Sequence, residues 1–103
     1  MNKMTVLVYE PGKTGYVKKI PNTLKPCQEI VGGPIQVVHP FKDDLVVVCN
    51  QEGRLEHLPE NRCGICGTFF ICAADGDEFA SLSEDQQSTI RILMGEDKIC
   101  PGK

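Results

Sequence analysis

One short window of the chain, residues 58–72, has the sequence Leu58-Pro59-Glu60-Asn61-Arg62-Cys63-Gly64-Ile65-Cys66-Gly67-Thr68-Phe69-Phe70-Ile71-Cys72. It contains three of the six cysteines, a charged turn and an apolar run that continues to Ala74. Side chains alternate along a strand, so Phe69 and Ile71 are expected to face one way and Phe70 and Cys72 the other. The window predicts the last strong strand of a sheet and identifies no reaction.

Four more strand patterns lie upstream of this window. Residues 4–9 and 16–20 predict a β-hairpin, because they flank the glycine-rich and proline-containing turn at residues 11–15. Residues 35–39 and 45–50 predict a second pair, and the later of the two is apolar on both faces, as in a central strand.

Two helices and one doubtful strand complete the pattern. The first helix is expected to begin at Asn22 or Thr23 and to end at Gly32, since glycine is a common helix terminator. The second is expected to begin near Ser83 with a capping box and to end at Gly95. Residues 54–58 are expected to form a short strand.

This order of elements favours an α+β fold, a mostly antiparallel sheet of about five strands with two helices packed on one face. A chain of 103 residues has the size of one ordinary domain, so residues 1–103 are expected to form a single domain.

Composition excludes several classes of protein. The chain is 41% hydrophobic and 24% charged, as globular domains are, and no apolar run approaches the ~20 residues that a spanning helix needs. The N-terminal residues lack the apolar region of a signal peptide, which predicts a cytosolic protein with mostly reduced cysteines.

Charge is unevenly distributed along the chain. Residues 1–42 contain six lysines and two glutamates, whereas residues 43–103 contain twelve acids and five basic residues. The acids near the last helix predict an acidic face for a basic protein partner, and a merely solvated helix is the alternative. The net charge of −3 disfavours direct binding of nucleic acid. The candidate partner-binding residues are Asp75, Asp77, Glu78, Glu84 and Asp85.

Cys63 and Cys66 have the spacing of two zinc ligands. A closed site would also require Cys72, His57 or Cys100, and cysteines that pack as small apolar residues are the simpler interpretation. The sequence shows neither the pattern of a redox-active cysteine pair nor that of a nucleophile with a base and an orienting group. We therefore expect no enzyme, no catalytic residue and no cofactor, with zinc as the one alternative.

The second functional hypothesis is a binder or sponge of a small molecule such as a nucleotide signal. The 11–15 and 61–68 loops would line a polar pocket in which Lys13 and Arg62 hold a phosphate, with Asn61 and Thr68 nearby. Asn61 is equally suited to a structural role in the turn. A homodimer through the strand at residues 16–20 is a further expectation, although its two lysines disfavour edge pairing.

Four segments together resemble a family of small uncharacterised proteins carried by phages, plasmids and other mobile elements of gut Firmicutes. They are Val8-Tyr9-Glu10-Pro11-Gly12-Lys13, Val48-Cys49-Asn50-Gln51-Glu52-Gly53, Leu58-Pro59-Glu60-Asn61-Arg62 and Gly67-Thr68-Phe69-Phe70. The resemblance covers almost the whole chain and implies a biological setting, but no catalytic residue. In that setting, a counter-defence inhibitor that binds a host immunity protein such as a CRISPR nuclease is expected, since these nucleases have basic channels.

Overall fold

The computed structural model describes residues 3–39, 44–61, 64–76 and 78–94. Its elements confirm the α+β class, with an antiparallel sheet and two helices. None of the described helices has the length and apolar character needed to cross a membrane. In chain order the elements are β1 (Lys3–Tyr9), β2 (Tyr16–Pro21), α1 (Leu24–Val31), β3 (Ile35–Val38), β4 (Leu45–Asn50), β5 (Phe69–Asp75), β6 (Glu78–Ala80) and α2 (Glu84–Leu93).

The strands follow the order β2-β1-β5-β4-β3, and all neighbours are antiparallel. β5 is central, because Phe70 pairs with Val8 of β1 on one side and with Val48 of β4 on the other. The short strand β6 pairs with the last residues of β5 on the edge where β1 also lies. The apolar run at the start of β5 is therefore enclosed by strands on both sides.

Alternation along β1, β4 and β5 divides the apolar residues between two cores, one on each face of the sheet. One core lies under α1 and contains Met4, Val6, Val8, Ile20, Cys27, Val31, Val46, Val48, Phe70 and Cys72. The other lies under α2 and contains Leu7, Tyr9, Leu45, Val47, Cys49, Phe69, Ile71, Ala73, Leu82, Ile90 and Met94.

The helices consequently lie on opposite faces, and the prediction that both pack on one face is wrong. The physical reason is the composition of β5, where Phe69 and Phe70 are both fully buried although they point to opposite faces. A strand with aromatic side chains on both faces needs cover on both, since leaving either ring in water forfeits about 1.5–3 kcal/mol.

Helix boundaries match the sequence signals. α1 starts after Thr23 and ends at Gly32, whose φ of 83° is the left-handed conformation that glycine adopts without strain. α2 starts after Ser83, whose hydroxyl accepts from the Gln86 amide at 3.1 Å, while the Gln86 side chain accepts from the Ser83 amide at 2.8 Å. The expected end of α2 at Gly95 lies outside the described residues.

The strand expected at residues 54–58 is also wrong, because the chain forms consecutive turns there. The Leu58 amide donates to the Gly53 carbonyl at 3.0 Å and the His57 amide to the Arg54 carbonyl at 3.1 Å. This pair of bonds is the one that closes a helical turn in a Schellman motif, with His57 at the left-handed position. Leu55 is 80% exposed, so the alternation of apolar residues here does not reflect a buried face.

Candidate functional site

Two of the predicted acidic residues face each other across the β5–β6 turn. Asp75 and Glu78 are direct partners in the antiparallel register, and both are exposed. Within the described residues neither carboxylate forms an ion pair or accepts a hydrogen bond. We call them the acid pair; Asp77, between them, lies outside the described residues.

The other two predicted acidic residues have a structural explanation. Glu84 and Asp85 occupy the first turn of α2, where unpaired backbone amides and the helix dipole favour negative charge. Each such charge contributes about 0.3–1 kcal/mol to helix stability. Their presence therefore requires no partner, in contrast to the acid pair.

An open cavity of about 460 Å³ borders the acid pair on the α1 face of the sheet. Its floor is apolar, and Leu24, at the start of α1, is 57% exposed beside it. The Asn22 side chain donates to the Phe79 carbonyl at 2.8 Å and so joins the start of α1 to β6. We call this cavity the α1 groove; it is lined by Asn22, Thr23, Leu24, Cys27, Ile35, Glu78 and Phe79. Sequence reasoning missed it, because it depends on which face α1 covers.

Of the residues predicted to hold a phosphate, Lys13 and Asn61 lie at the same end of the sheet, since β1 ends where β5 begins. Lys13 pairs there with Glu10 at 3.4 Å, and Glu10 also accepts from the Tyr16 hydroxyl at 2.9 Å. This hydroxyl and the Lys13 ammonium lower the pKa of the Glu10 carboxyl. The Lys13 ammonium thus forms an ion pair within the turn between β1 and β2.

Asn61 connects the loop before β5 to the sheet. Its side-chain amide donates to the Tyr9 carbonyl at 2.9 Å and to the Gly67 carbonyl at 2.8 Å, and its backbone amide donates to Ile65 at 2.7 Å. Both side-chain N–H groups are therefore used within the protein, as in the structural role that the sequence left open. Thr68 is half-buried beside Gly67, and Arg62 lies outside the described residues.

Three cysteines, Cys27, Cys49 and Cys72, are buried and unbridged, and we call them the core cysteines. Burial raises the pKa of all three thiols, and that of Cys72 reaches about 12. Thiols held neutral are poor nucleophiles and poor metal ligands. Among the described residues no group of three or more Cys, His, Asp or Glu side chains could hold a metal ion. Of the predicted zinc ligands, Cys66 is half-buried and Cys63 lies outside the described residues.

A second region that sequence reasoning missed surrounds Arg54. The turn of residues 51–58 and the 64–66 loop enclose an inner cavity of about 280 Å³ and an outer cavity of about 410 Å³. The walls of both include Arg54, Gly64 and Cys66. The sequence predicts a strand at residues 54–58, and a strand there gives no indication of a cavity.

Comparison with known proteins identifies the family and no function. The model of a domain of unknown function, DUF3846, matches residues 4–94, so the chain belongs to that family. No curated protein and no solved structure matches it.

Proposed function

We propose that this DUF3846 domain acts without catalysis, by binding a basic protein through the acid pair and the adjoining α1 groove. The observation that carries the proposal is the position of Glu78, which belongs to the uncompensated acid pair and also lines the α1 groove. Charge and apolar surface thus meet at one place.

Folding does not account for the acid pair. Like charges directly opposite each other in an antiparallel pair are destabilising, by up to about 1 kcal/mol. A residue that opposes local stability is expected where function requires it. A cationic side chain placed against Asp75 and Glu78 would remove the repulsion and add attraction.

The α1 groove supplies the apolar contacts that charged residues alone do not provide. Binding energy at protein interfaces concentrates in a few apolar or aromatic anchors that fill pockets, while charged residues at the rim steer association and exclude wrong partners. Leu24, Ile35 and Phe79 offer such a pocket next to Glu78. The partner surface should therefore present an apolar side chain beside a lysine or arginine.

Proteins that bind nucleic acid are the class with the strongest basic surfaces. The resemblance to proteins of mobile elements favours a host defence nuclease among them, and CRISPR nucleases hold nucleic acid in basic channels. A counter-defence inhibitor that occupies such a channel is the specific form of the proposal.

The experiment measures association and dissociation rates with purified CRISPR nucleases at low and high salt. The variant Asp75→Lys/Glu78→Lys should slow association about tenfold or more at low salt and much less at high salt. Its matched control, Glu52→Lys/Glu56→Lys, changes net charge equally in the exposed turn of residues 51–58. Leu24→Ala should instead speed dissociation.

Equal slowing by the control would show that net charge and not this surface drives association. Absence of binding to every nuclease tested would reject the nuclease as partner. Charge reversal at Glu84 and Asp85 is a poorer test, because lysines there also oppose the helix dipole.

A further inference from the structure

The inner cavity beside Arg54 is built from four separate parts of the chain. β3 and the end of β4 form one side, and the 51–58 turn and 64–66 loop form the other. Its lining residues are Gln36, Val38, Cys49, Asn50, Gln51, Gly53, Arg54, Leu55, Gly64, Ile65 and Cys66. Arg54 is the only charged residue among these described residues, so the described part of the lining has a positive wall and no carboxylate.

Arg54 is oriented by the loop opposite. One terminal nitrogen of its guanidinium, Nη2, donates to the Gly64 carbonyl at 3.2 Å. Within the described residues its other N–H groups have no protein acceptor. An arginine held at one corner presents the rest of its planar fork in a fixed direction, the geometry that binds carboxylate or phosphate oxygens in pairs.

The surrounding backbone is held firmly. A Cβ atom at Gly53 would lie 2.5 Å from the Cys66 carbonyl oxygen, so only glycine allows the turn and loop to approach this closely. Asn50 fixes the start of the turn, because its side chain donates to Val31 at 3.1 Å and accepts from the Glu52 amide at 2.7 Å. Sites preorganised in this way lose little entropy when a ligand binds.

His57 provides a further indication in the adjoining outer cavity, which shares Arg54, Gly64 and Cys66 with the inner one. It lines the outer cavity together with Arg54, and its φ of 56° is the left-handed conformation that glycine favours at the end of a turn. Strained positions occupied by a residue other than glycine cluster at functional sites.

We propose that Arg54 binds the carboxylate or phosphate group of a small metabolite in the inner cavity. The volume of 280 Å³ lies just below the range of about 300–1,000 Å³ typical of drug-sized ligands, which favours a compact organic acid or phosphate monoester. Glu60 lines only the outer cavity, and Glu52 and Glu56 line neither, so none of the carboxylates that the structure describes opposes the anion in the inner one. The site is independent of the acid pair and of the proposed protein partner.

The test is a titration of the ¹⁵N-labelled protein with inorganic phosphate and, separately, with acetate, at ionic strength held constant by chloride. Backbone amides of residues 53–55 and 64–66 should shift and saturate with a dissociation constant of about millimolar, as expected of so few ligand atoms. Preference for one probe identifies the anionic group of the metabolite.

Arg54→Lys keeps the charge and loses the fork, and it should weaken the binding about tenfold. The matched control Lys19→Gln, which removes an exposed cation from β2, should leave the binding unchanged. The spectrum of each variant shows directly that it remains folded. Shifts that do not saturate, that spread over the lysines of β2 and α1, or that persist equally in Arg54→Lys would overturn the proposal.

Discussion

Removing the Asn61 side chain should detach the loop before β5 from the sheet. Asn61→Ala eliminates the bonds to the Tyr9 and Gly67 carbonyls, at 2.9 and 2.8 Å. Each such bond contributes about 0.5–1.5 kcal/mol net, so the free energy of unfolding should fall by about 1–3 kcal/mol. That is a large share of the 5–15 kcal/mol, roughly, that stabilises a domain.

Asn61→Asp should be worse than Asn61→Ala, although it is nearly isosteric. An ionised aspartate cannot donate a hydrogen bond, and it would place a negative oxygen against two carbonyl oxygens in a half-buried site. The order of stability should therefore be wild type, alanine, aspartate. If Asn61 served to bind a ligand instead, the alanine variant would be nearly as stable as the wild type.

Urea unfolding followed by circular dichroism measures these differences, and the melting temperature should fall by about 4–8 °C for each kcal/mol lost. Asn22→Ala is the matched control, because within the described part of the chain its side chain makes one hydrogen bond, to the Phe79 carbonyl, at an exposed site. It should cost about 0.5 kcal/mol, the low end of the range for one hydrogen bond. If Asn61→Ala unfolded with the wild-type midpoint, the loop would not be anchored as described.

Three further predictions concern stability. Asp75→Lys should raise the free energy of unfolding by about 0.5–1 kcal/mol, since it converts the acid pair into an opposite-charge pair; a urea midpoint no higher than that of wild type would contradict this. His57→Gly should stabilise by about 1 kcal/mol in the same assay, by relieving the left-handed φ, and an unchanged midpoint would mean that the turn carries no strain. The core cysteines have raised pKa values, so the unfolded chain loses their protons first; stability should be complete below about pH 8.5 and fall as pH rises through the folded pKa values. Urea midpoints from pH 7 to 10 measure this, and a Cys72→Ala variant should show a smaller decline.

The strands with long apolar runs could be predicted from the sequence, because such runs are unusual on a solvated surface. β1, β4 and β5 contain four, five and six consecutive apolar residues, and turns rich in glycine, proline and asparagine separate them. The α2 start was equally clear, because a capping box combines two specific side chains at fixed spacing. Each of these signals depends only on residues that are close together in the sequence.

The placement of the helices depends on contacts between distant residues, and alternation cannot supply it. Periodicity shows that Phe69 and Ile71 share a face, but not whether α1 or α2 covers that face. The two adjacent aromatic residues, Phe69 and Phe70, which point to opposite faces of a strand, were the signal available in the sequence. It required the inference that two aromatic faces need two covering layers.

The turn of residues 51–58 was mispredicted because the left-handed position at the end of such a turn is usually occupied by glycine or asparagine. Here His57 occupies that position, so Arg54-Leu55-Glu56-His57-Leu58 resembles the alternation of a strand. β6 was missed for a different reason. Its three residues are too few for any period to be visible, and its pairing with Ala73 and Asp75 is decided by β5.

The structure separates acidic residues that the sequence could only group together. Glu84 and Asp85 stabilise the helix end at which they lie, so selection for folding alone is enough to explain them. Asp75 and Glu78 oppose each other across two strands, and folding alone would favour a cation at either position. The acid pair and the α1 groove are therefore where a partner should be sought first, and a variant that is stabilised by Asp75→Lys while losing its partner would show that the repulsion serves binding.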